Sequence, residues 1–174
     1  MNPRYCSVDA QNIETHYYVK GAKEGNNPIK INHKNLLIYL KQKIHCQKIF
    51  LFYPETLNYK KQILLKNLGY IVVLCKVKRE DRDGKSHANI DTDLVIKSIV
   101  NYYENDDIIE PVFITDDGDF LPLLEFFEQK DVDIMLIGTQ QGYGGISSKL
   151  VTKNYQTGEI RDIIYLDKIA DIFI

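Results

Sequence analysis

Strands alternating with helices along most of the chain predict an α/β fold, a three-layer α/β/α sandwich around a central, mainly parallel sheet. Three observations support this. Short runs rich in β-branched and aromatic residues recur at Tyr5 to Val8, Lys48 to Tyr53, Tyr70 to Cys75, Val112 to Ile114 and Asp133 to Ile137. The stretches between them carry apolar residues at helical spacing. Strand, helix and strand follow one another at intervals that suit right-handed crossovers. The expected strand order is 3-2-1-4-5.

Each element has its own signal. The first strand, Tyr5 to Val8, ends at Asp9, and Asn12 to Val19 continues from it with mixed aromatic and polar residues. Gly21 to Lys30, with Gly25, Asn26, Asn27 and Pro28, reads as a loop. Asn32 is suited to cap a helix carrying Leu36, Leu37, Leu40 and Ile44 on one face and ending near Cys46. Pro54 breaks the second strand; Thr56 to Leu68 then predicts a helix with Leu57, Leu64, Leu65 and Leu68 inward and Gly69 just past its end. After the third strand comes a charged loop, Lys76 to Lys85, and a helix from about Asp91 to Tyr103 with Leu94, Val95, Ile99 and Tyr102 inward. The fourth strand leads into a helix bearing Leu121, Leu123, Leu124, Phe126 and Phe127. Beyond the fifth strand the pattern weakens. Gly138 to Gly145 is glycine-rich without the lysine of a phosphate-binding loop, and Ile163 to Ile174 predicts a last strand or helix.

With 174 residues the chain fits a single domain over 1–174, its core spanning about 5–150 and its C-terminal part packed on that core. Cys6, Cys46 and Cys75 are odd in number, far apart and without metal-ligand spacing, so buried free thiols are expected. No apolar stretch approaches the roughly 20 residues of a membrane span, and the N-terminus lacks the order of a signal peptide. A cytoplasmic protein with no membrane partner is expected. Twenty-two basic against 24 acidic residues give a net charge of −2, which leaves no global electrostatic attraction for nucleic acid. An anionic substrate needs a local basic patch or a metal.

The run Thr115-Asp116-Asp117-Gly118-Asp119-Phe120 places carboxylates where a buried strand stops and a helix begins. Helix capping accounts for one such acid, not for several. With the expected order, the first and fourth strands are neighbours. Asp9, Asp117 and Asp119 then converge at the carboxyl edge, where α/β proteins bind ligands, and Asp91 arrives from the adjoining helix. Converging carboxylates repel one another and raise their pKa values unless a cation intervenes. Hard ions such as Mg2+ or Mn2+ prefer this oxygen donor set. Asp116 reads as a solvated loop residue, Asp93 as a weaker candidate, and Lys97 as either a neutralising charge or the i+4 partner of Asp93.

The ordered segments Val8-Asp9-Ala10-Gln11-Asn12, Asn89-Ile90-Asp91-Thr92-Asp93-Leu94-Val95 and Thr115 to Phe120 with Pro122-Leu123 resemble the NYN domain family of PIN-like nucleases, near its LabA/DUF88 branch. The resemblance covers roughly residues 5–150. It implies a metal-dependent ribonuclease that hydrolyses RNA phosphodiesters with activated water, using Mg2+ or Mn2+. Asp9, Asp91, Asp117 and Asp119 would be metal positions, and Asn12 a supporting polar residue. Asp116 stands where the family usually has glycine, Gly118 where serine is common, and Lys97 where the branch often carries an acid.

Lys76, Lys78, Arg79, Arg82 and Lys85, with His87 beyond them, are candidate substrate contacts, either a phosphate-gripping lip or a solvated charge run. Tyr17, Tyr18 and Tyr143 are candidates for base stacking. An RNA-binding or regulatory module without turnover is the alternative reading, and a homo-oligomer is left open. Receiver-like and aspartate-phosphatase chemistry is disfavoured, because Asp9-Ala10-Gln11 supplies neither an acid pair nor an Asp-x-Asp after the first strand.

Overall fold

The computed structural model describes residues 4–15, 30–79, 86–104, 110–139, 160–169 and 171–173. Six strands form the sheet: β1 (Arg4–Asp9), β2 (Cys46–Pro54), β3 (Ile71–Cys75), β6 (Glu110–Ile114), β7 (Ile134–Gly138) and β8 (Ile160–Tyr165). Their spatial order is β3-β2-β1-β6-β7-β8, and every neighbouring pair is parallel. The predicted order is therefore present, extended by β8 at one edge. The last apolar run begins three residues before Ile163 and resolves into a strand followed by a 3-10 turn, Leu166–Lys168.

Both faces of the sheet are covered, as continuous apolar runs in a parallel sheet require. One face packs Val8, Leu51, Ile114 and Ile137 against Ala10 and Ile13 of α1 (described over 10–15), Leu36, Leu37 and Leu40 of α2 (His33–Gln42) and Leu65 of α3 (Tyr59–Leu68). The other packs Tyr5, Phe50, Phe52, Phe113 and Leu136 against Ile90 and Leu94 of α4 (Ile90–Glu104) and Leu123, Leu124 and Phe127 of α5 (Leu121–Glu128). Alternation along each strand assigns odd positions of β1 to the α4–α5 side and even positions to the α1–α3 side.

Capping explains the helix starts. Asn32 accepts from the Asn35 N–H and opens α2 as predicted, and Gly69 closes α3 with φ 108°, a left-handed conformation that favours glycine. The predicted start of α3 at Thr56 is corrected to Tyr59. Asn58 takes the cap by accepting from Lys60 N, while Leu57 N bonds back to Pro54 O in a turn. Leu64, expected inward, is 58% exposed, because a ten-residue helix over an edge strand buries only Leu65 fully. All three cysteines are buried free thiols. No helix among the described residues is long and apolar enough to cross a membrane.

The charged loop after β3 is more regular than expected. Val77–Arg79 (β4) and Ser86–Ala88 (β5) pair antiparallel, with Lys78 opposite His87. The Asn89 N–H donates to Lys76 O at 3.0 Å and closes the base of this hairpin immediately before α4.

One polar cluster ties the α1–α3 layer together. Glu14 Oε1 accepts from Tyr53 OH at 2.6 Å and from His33 Nε2 at 2.7 Å, and Oε2 accepts from Lys61 Nζ at 2.5 Å. Burial pushes the Glu14 carboxyl up, but the hydrogen bonds from His33, Lys61 and Tyr53 outweigh it and hold the group at about 2. A carboxyl depressed on folding stabilises the native state above its unfolded pKa and loses that contribution as pH falls. Between about pH 5 and pH 2 wild-type stability should therefore drop by on the order of 3 kcal/mol from this group. In urea titrations across that range, Glu14→Gln should show a correspondingly shallower acid slope.

Candidate active site at the carboxyl edge

The helix α4 is fixed to β1 by polar contacts in an apolar layer. Tyr5 OH donates to Ser98 O at 3.0 Å, and the Ser7 and Ser98 hydroxyls meet at 3.0 Å, all buried. Asp9 lies two residues beyond Ser7 on the same sheet face. Asp91 lies seven residues, or two helical turns, before Ser98 on the same helix face, a stripe otherwise made of the buried residues Leu94, Ser98 and Asn101. The helix runs back against the strand, so one docking contact carries both acids to the carboxyl edge.

From the other neighbour, Ser7 pairs with Phe113, which puts Thr115 level with Asp9 and Asp117 just past it on the same face. The crevice lies where the chain path reverses, between β1 and β6, the switch point at which open α/β sheets take ligands.

Asp9 is 3% exposed. Burial raises its carboxyl to about 7, an Asn12 N–H bond at 3.4 Å opposes the rise, and the charges of Asp91, Asp117 and Asp116 add to it. Asp91, on the solvent-exposed rim, is also raised, first by desolvation and then by Asp117 and Asp119. The four expected acids thus act on one another through space, and each such coupling is repulsive.

Part of this donor set also serves local structure. Asp9 Oδ1 accepts the Asn12 N–H, so Asn12 reaches the site through its backbone at the start of α1. Asp117 caps the 3-10 turn Gly118–Phe120, its Oδ1 accepting Asp119 N at 2.9 Å. Asp91 is relieved of capping: Asn89 opens α4, its Oδ1 accepting from the Thr92 hydroxyl and its carbonyl from Asp93 N.

Two expectations are corrected. Asp116 is not a solvated loop residue; it is 8% exposed, and its two oxygens accept from Thr139 N at 2.7 Å and Thr139 Oγ1 at 2.6 Å. Lys97 neither pairs with Asp93 nor neutralises the site. Its ammonium lies 5.7 Å from the Phe50 ring centroid, while Asp93 hydrogen-bonds the buried Cys75 thiol. Burial and then Asp93 push that thiol up to about 12, with smaller contributions from Asp9 and Asp91. Cys75, at the end of the edge strand β3, thus joins the acidic end of α4 to the sheet through Asp93, a contact that sequence reasoning missed.

The basic candidates divide. Lys76 is exposed between β3 and β4, and Lys78, Arg79 and His87 lie on the hairpin that runs directly into Asp91. Arg82, Lys85, Tyr17, Tyr18, Tyr143 and the glycine-rich loop after Thr139 fall outside the described residues.

The donor set fits a hard divalent cation in chemistry: carboxylates of one sign of charge act on one another, and among the described residues no cation is paired with the buried Asp9. Among the described residues, no three His, Cys, Asp or Glu side chains form a ready metal-holding group. Mg2+ does not require one, because it commonly binds through one or two carboxylates and keeps several waters.

The sign of the Asp9 effect opposes that of Glu14. A carboxyl raised on folding favours the native state fully below its unfolded pKa and loses that contribution as pH rises through the folded value. From about pH 4 to pH 7 Asp9 should cost on the order of 4 kcal/mol in metal-free protein. Asp9→Asn should therefore melt higher than wild type at pH 8 in EDTA, with the gap closing at pH 4 in calorimetry.

No protein-family model and no curated protein matches the chain in sequence. A solved structure, that of a protein of unknown function from Vibrio parahaemolyticus RIMD 2210633, superimposes with a TM-score of 0.71 at 17% identity, covering 99% of this chain and 96% of the other. At that identity the likeness concerns the fold alone.

Proposed function

We propose that the protein is a metal-dependent ribonuclease that hydrolyses RNA phosphodiester bonds at the crevice between β1 and β6. The observation that carries this reading is the buried, uncompensated Asp9 facing Asp91 and Asp117 at the switch point of the sheet. One or two carboxylates at a time from Asp9, Asp91, Asp117 and Asp119 would hold Mg2+ or Mn2+, with water completing the shell. When bound, such an ion lowers the pKa of water and screens the charge on a scissile phosphate.

The chain's own residues supply the remainder. Asp9, raised to about 7 with no counter-charge among the described residues, would be held ionised by such a cation and would fix it to the central strand. The Asn12 N–H orients its Oδ1. Phe52 and Ile90, buried on the α4–α5 side of the sheet, contribute to the apolar layer that leaves the Asp9 carboxylate poorly hydrated. Lys76, Lys78, Arg79 and His87, placed on the hairpin ahead of Asp91, supply the local positive charge that a net −2 chain otherwise lacks.

A second reading, an RNA-binding or regulatory module of the same fold without turnover, is favoured by one feature. Asp9 Oδ1 and Asp117 Oδ1 each already accept a backbone N–H, which spends part of the donor set on helix capping.

Labelled single-stranded RNA incubated with Mn2+ separates these readings. Wild type should cleave, EDTA should abolish cleavage, and Asp117→Asn should lose at least about 100-fold, the equivalent of a few kcal/mol of transition-state stabilisation. Equal, metal-independent cleavage by both proteins would reject the assignment. Tight RNA binding without cleavage at saturating Mn2+ would establish the second reading instead.

A further inference from the structure

The acidic run after β6 is divided by strand parity. Asp117 follows Phe113 and Thr115 on the α4–α5 side, whereas Asp116 follows Val112 and Ile114 on the opposite side. There it meets Thr139, which follows Ile137 of β7 with the same parity. The pairing of β6 with β7 ends at Ile114 and Ile137, and one further bond, Thr115 N to Ile137 O at 3.2 Å, extends it. Beyond that point no ladder holds residues 116–119 in register. A one-residue slip in such a segment exchanges the two faces, and would turn Asp116 into the crevice and Asp117 out of it.

The Asp116 carboxylate occupies this gap. Oδ1 accepts Thr139 N at 2.7 Å and Oδ2 accepts Thr139 Oγ1 at 2.6 Å, with Thr139 fully buried. From the clamp, short bonds lead onward: Thr115 Oγ1 accepts Asp117 N at 3.1 Å, and Asp117 Oδ1 accepts Asp119 N at 2.9 Å. We propose that Asp116 is a positioning residue, whose two-pronged grip on Thr139 locks the end of β6 to the end of β7 and thereby presents Asp117 to Asp9 and Asp91, with Asp119 beside Asp91. This rests on the ribonuclease reading only for its consequence in catalysis; the positioning itself is read out independently.

Burying a carboxylate is costly unless its oxygens are hydrogen-bonded, and Thr139 occupies both oxygens of Asp116. Two charge-assisted bonds to one residue fix both distance and rotation, and rotation is what decides parity here.

The test uses the full chain with four substitutions: Asp116→Ala, Asp116→Asn, Thr139→Val and Thr139→Ser. Amide NMR of metal-free protein reads positioning, Mn2+ titration reads the site, and RNA cleavage reads the reaction. Thr139→Val lies 20 residues from Asp119 and removes only the hydroxyl bond, so a shift of the Asp119 amide resonance in that variant reports the clamp rather than sequence proximity. Thr139→Val and Asp116→Ala should move the Asp117 and Asp119 amide resonances and weaken Mn2+ binding by at least about tenfold, as supporting shells of metal sites do. Thr139→Ser should restore both. Asp116→Asn, which keeps an acceptor for Thr139 N and offers its NH2 as a donor to Thr139 Oγ1, should stay within about threefold of wild type, with kcat rather than KM carrying the loss in the Ala variant. Unmoved Asp119 resonances in both Thr139→Val and Asp116→Ala overturn the proposal. So does a loss of Mn2+ affinity in Asp116→Asn with Thr139→Val unaffected, since that pattern makes Asp116 a ligand. If wild type binds no Mn2+ and cleaves no RNA, the ribonuclease reading fails while the amide resonances still decide the clamp.

Discussion

A carboxylate held at the end of the central strand, with its charge opposed by burial and by three like charges, is the constraint around which the carboxyl edge is arranged. Asp9 sits on β1, whose two hydrogen-bonded neighbours and two covered faces deny it water. Among the described residues, no cation is paired with it. Lys97, on the same helix as Asp91, lies over the Phe50 ring instead. Natural folds rarely leave such a group uncompensated unless an external partner completes it. The same fold shows the contrasting solution one helical turn away, where Glu14, the same kind of group, is surrounded by a histidine, a lysine and a tyrosine hydroxyl. Side by side, the two acids separate a carboxylate that three side chains of the scaffold satisfy from one that meets mainly like charge.

The docking of α4 makes the site a property of the sheet rather than of loops. Because Ser98 meets Ser7 in the buried layer, sliding the helix to move Asp91 would break a hydroxyl contact and the bond from Tyr5 as well. Polar contacts inside an apolar layer fix register more sharply than packing does, because an unpaired hydroxyl there is expensive. Asp9 and Asp91 are thus held relative to one another by residues that touch neither.

How much of this was legible in the sequence follows from which forces are local. Strand runs, the Asn32 cap and Gly69 are decided within a few residues, so the layers and their order could be read directly. Convergence of Asp9 with Asp117 followed from order alone, since neighbouring parallel strands end together. The burial of Asp116 is hard to read because its partner, Thr139, is remote in sequence, although Val112, Ile114 and Asp116 share one parity. Lys97 was misread for a different reason. An i, i+4 acid is a local temptation, whereas the Cys75 thiol and the Phe50 ring that separate Asp93 from Lys97 are brought in by other strands. The hairpin of β4 and β5 was hidden by its charged composition, which resembles solvated loop.

The placement of β1 also bears on how the chain becomes this structure. Its hydrogen-bonding partner on one side, β2, begins about forty residues later in the chain, but on the other side Cys6 pairs with Val112 and Val8 with Ile114. At ribosomal rates of about 5 to 20 residues per second, β6 is made roughly 5 to 20 s after β1. Throughout that interval the strand that will be most deeply enclosed presents an unpaired edge and an apolar face. The crevice between β1 and β6 is therefore also the last seam of the sheet's first half to close, and until it does the charge of Asp9 marks the end of an edge that a stray strand would otherwise find uniformly apolar.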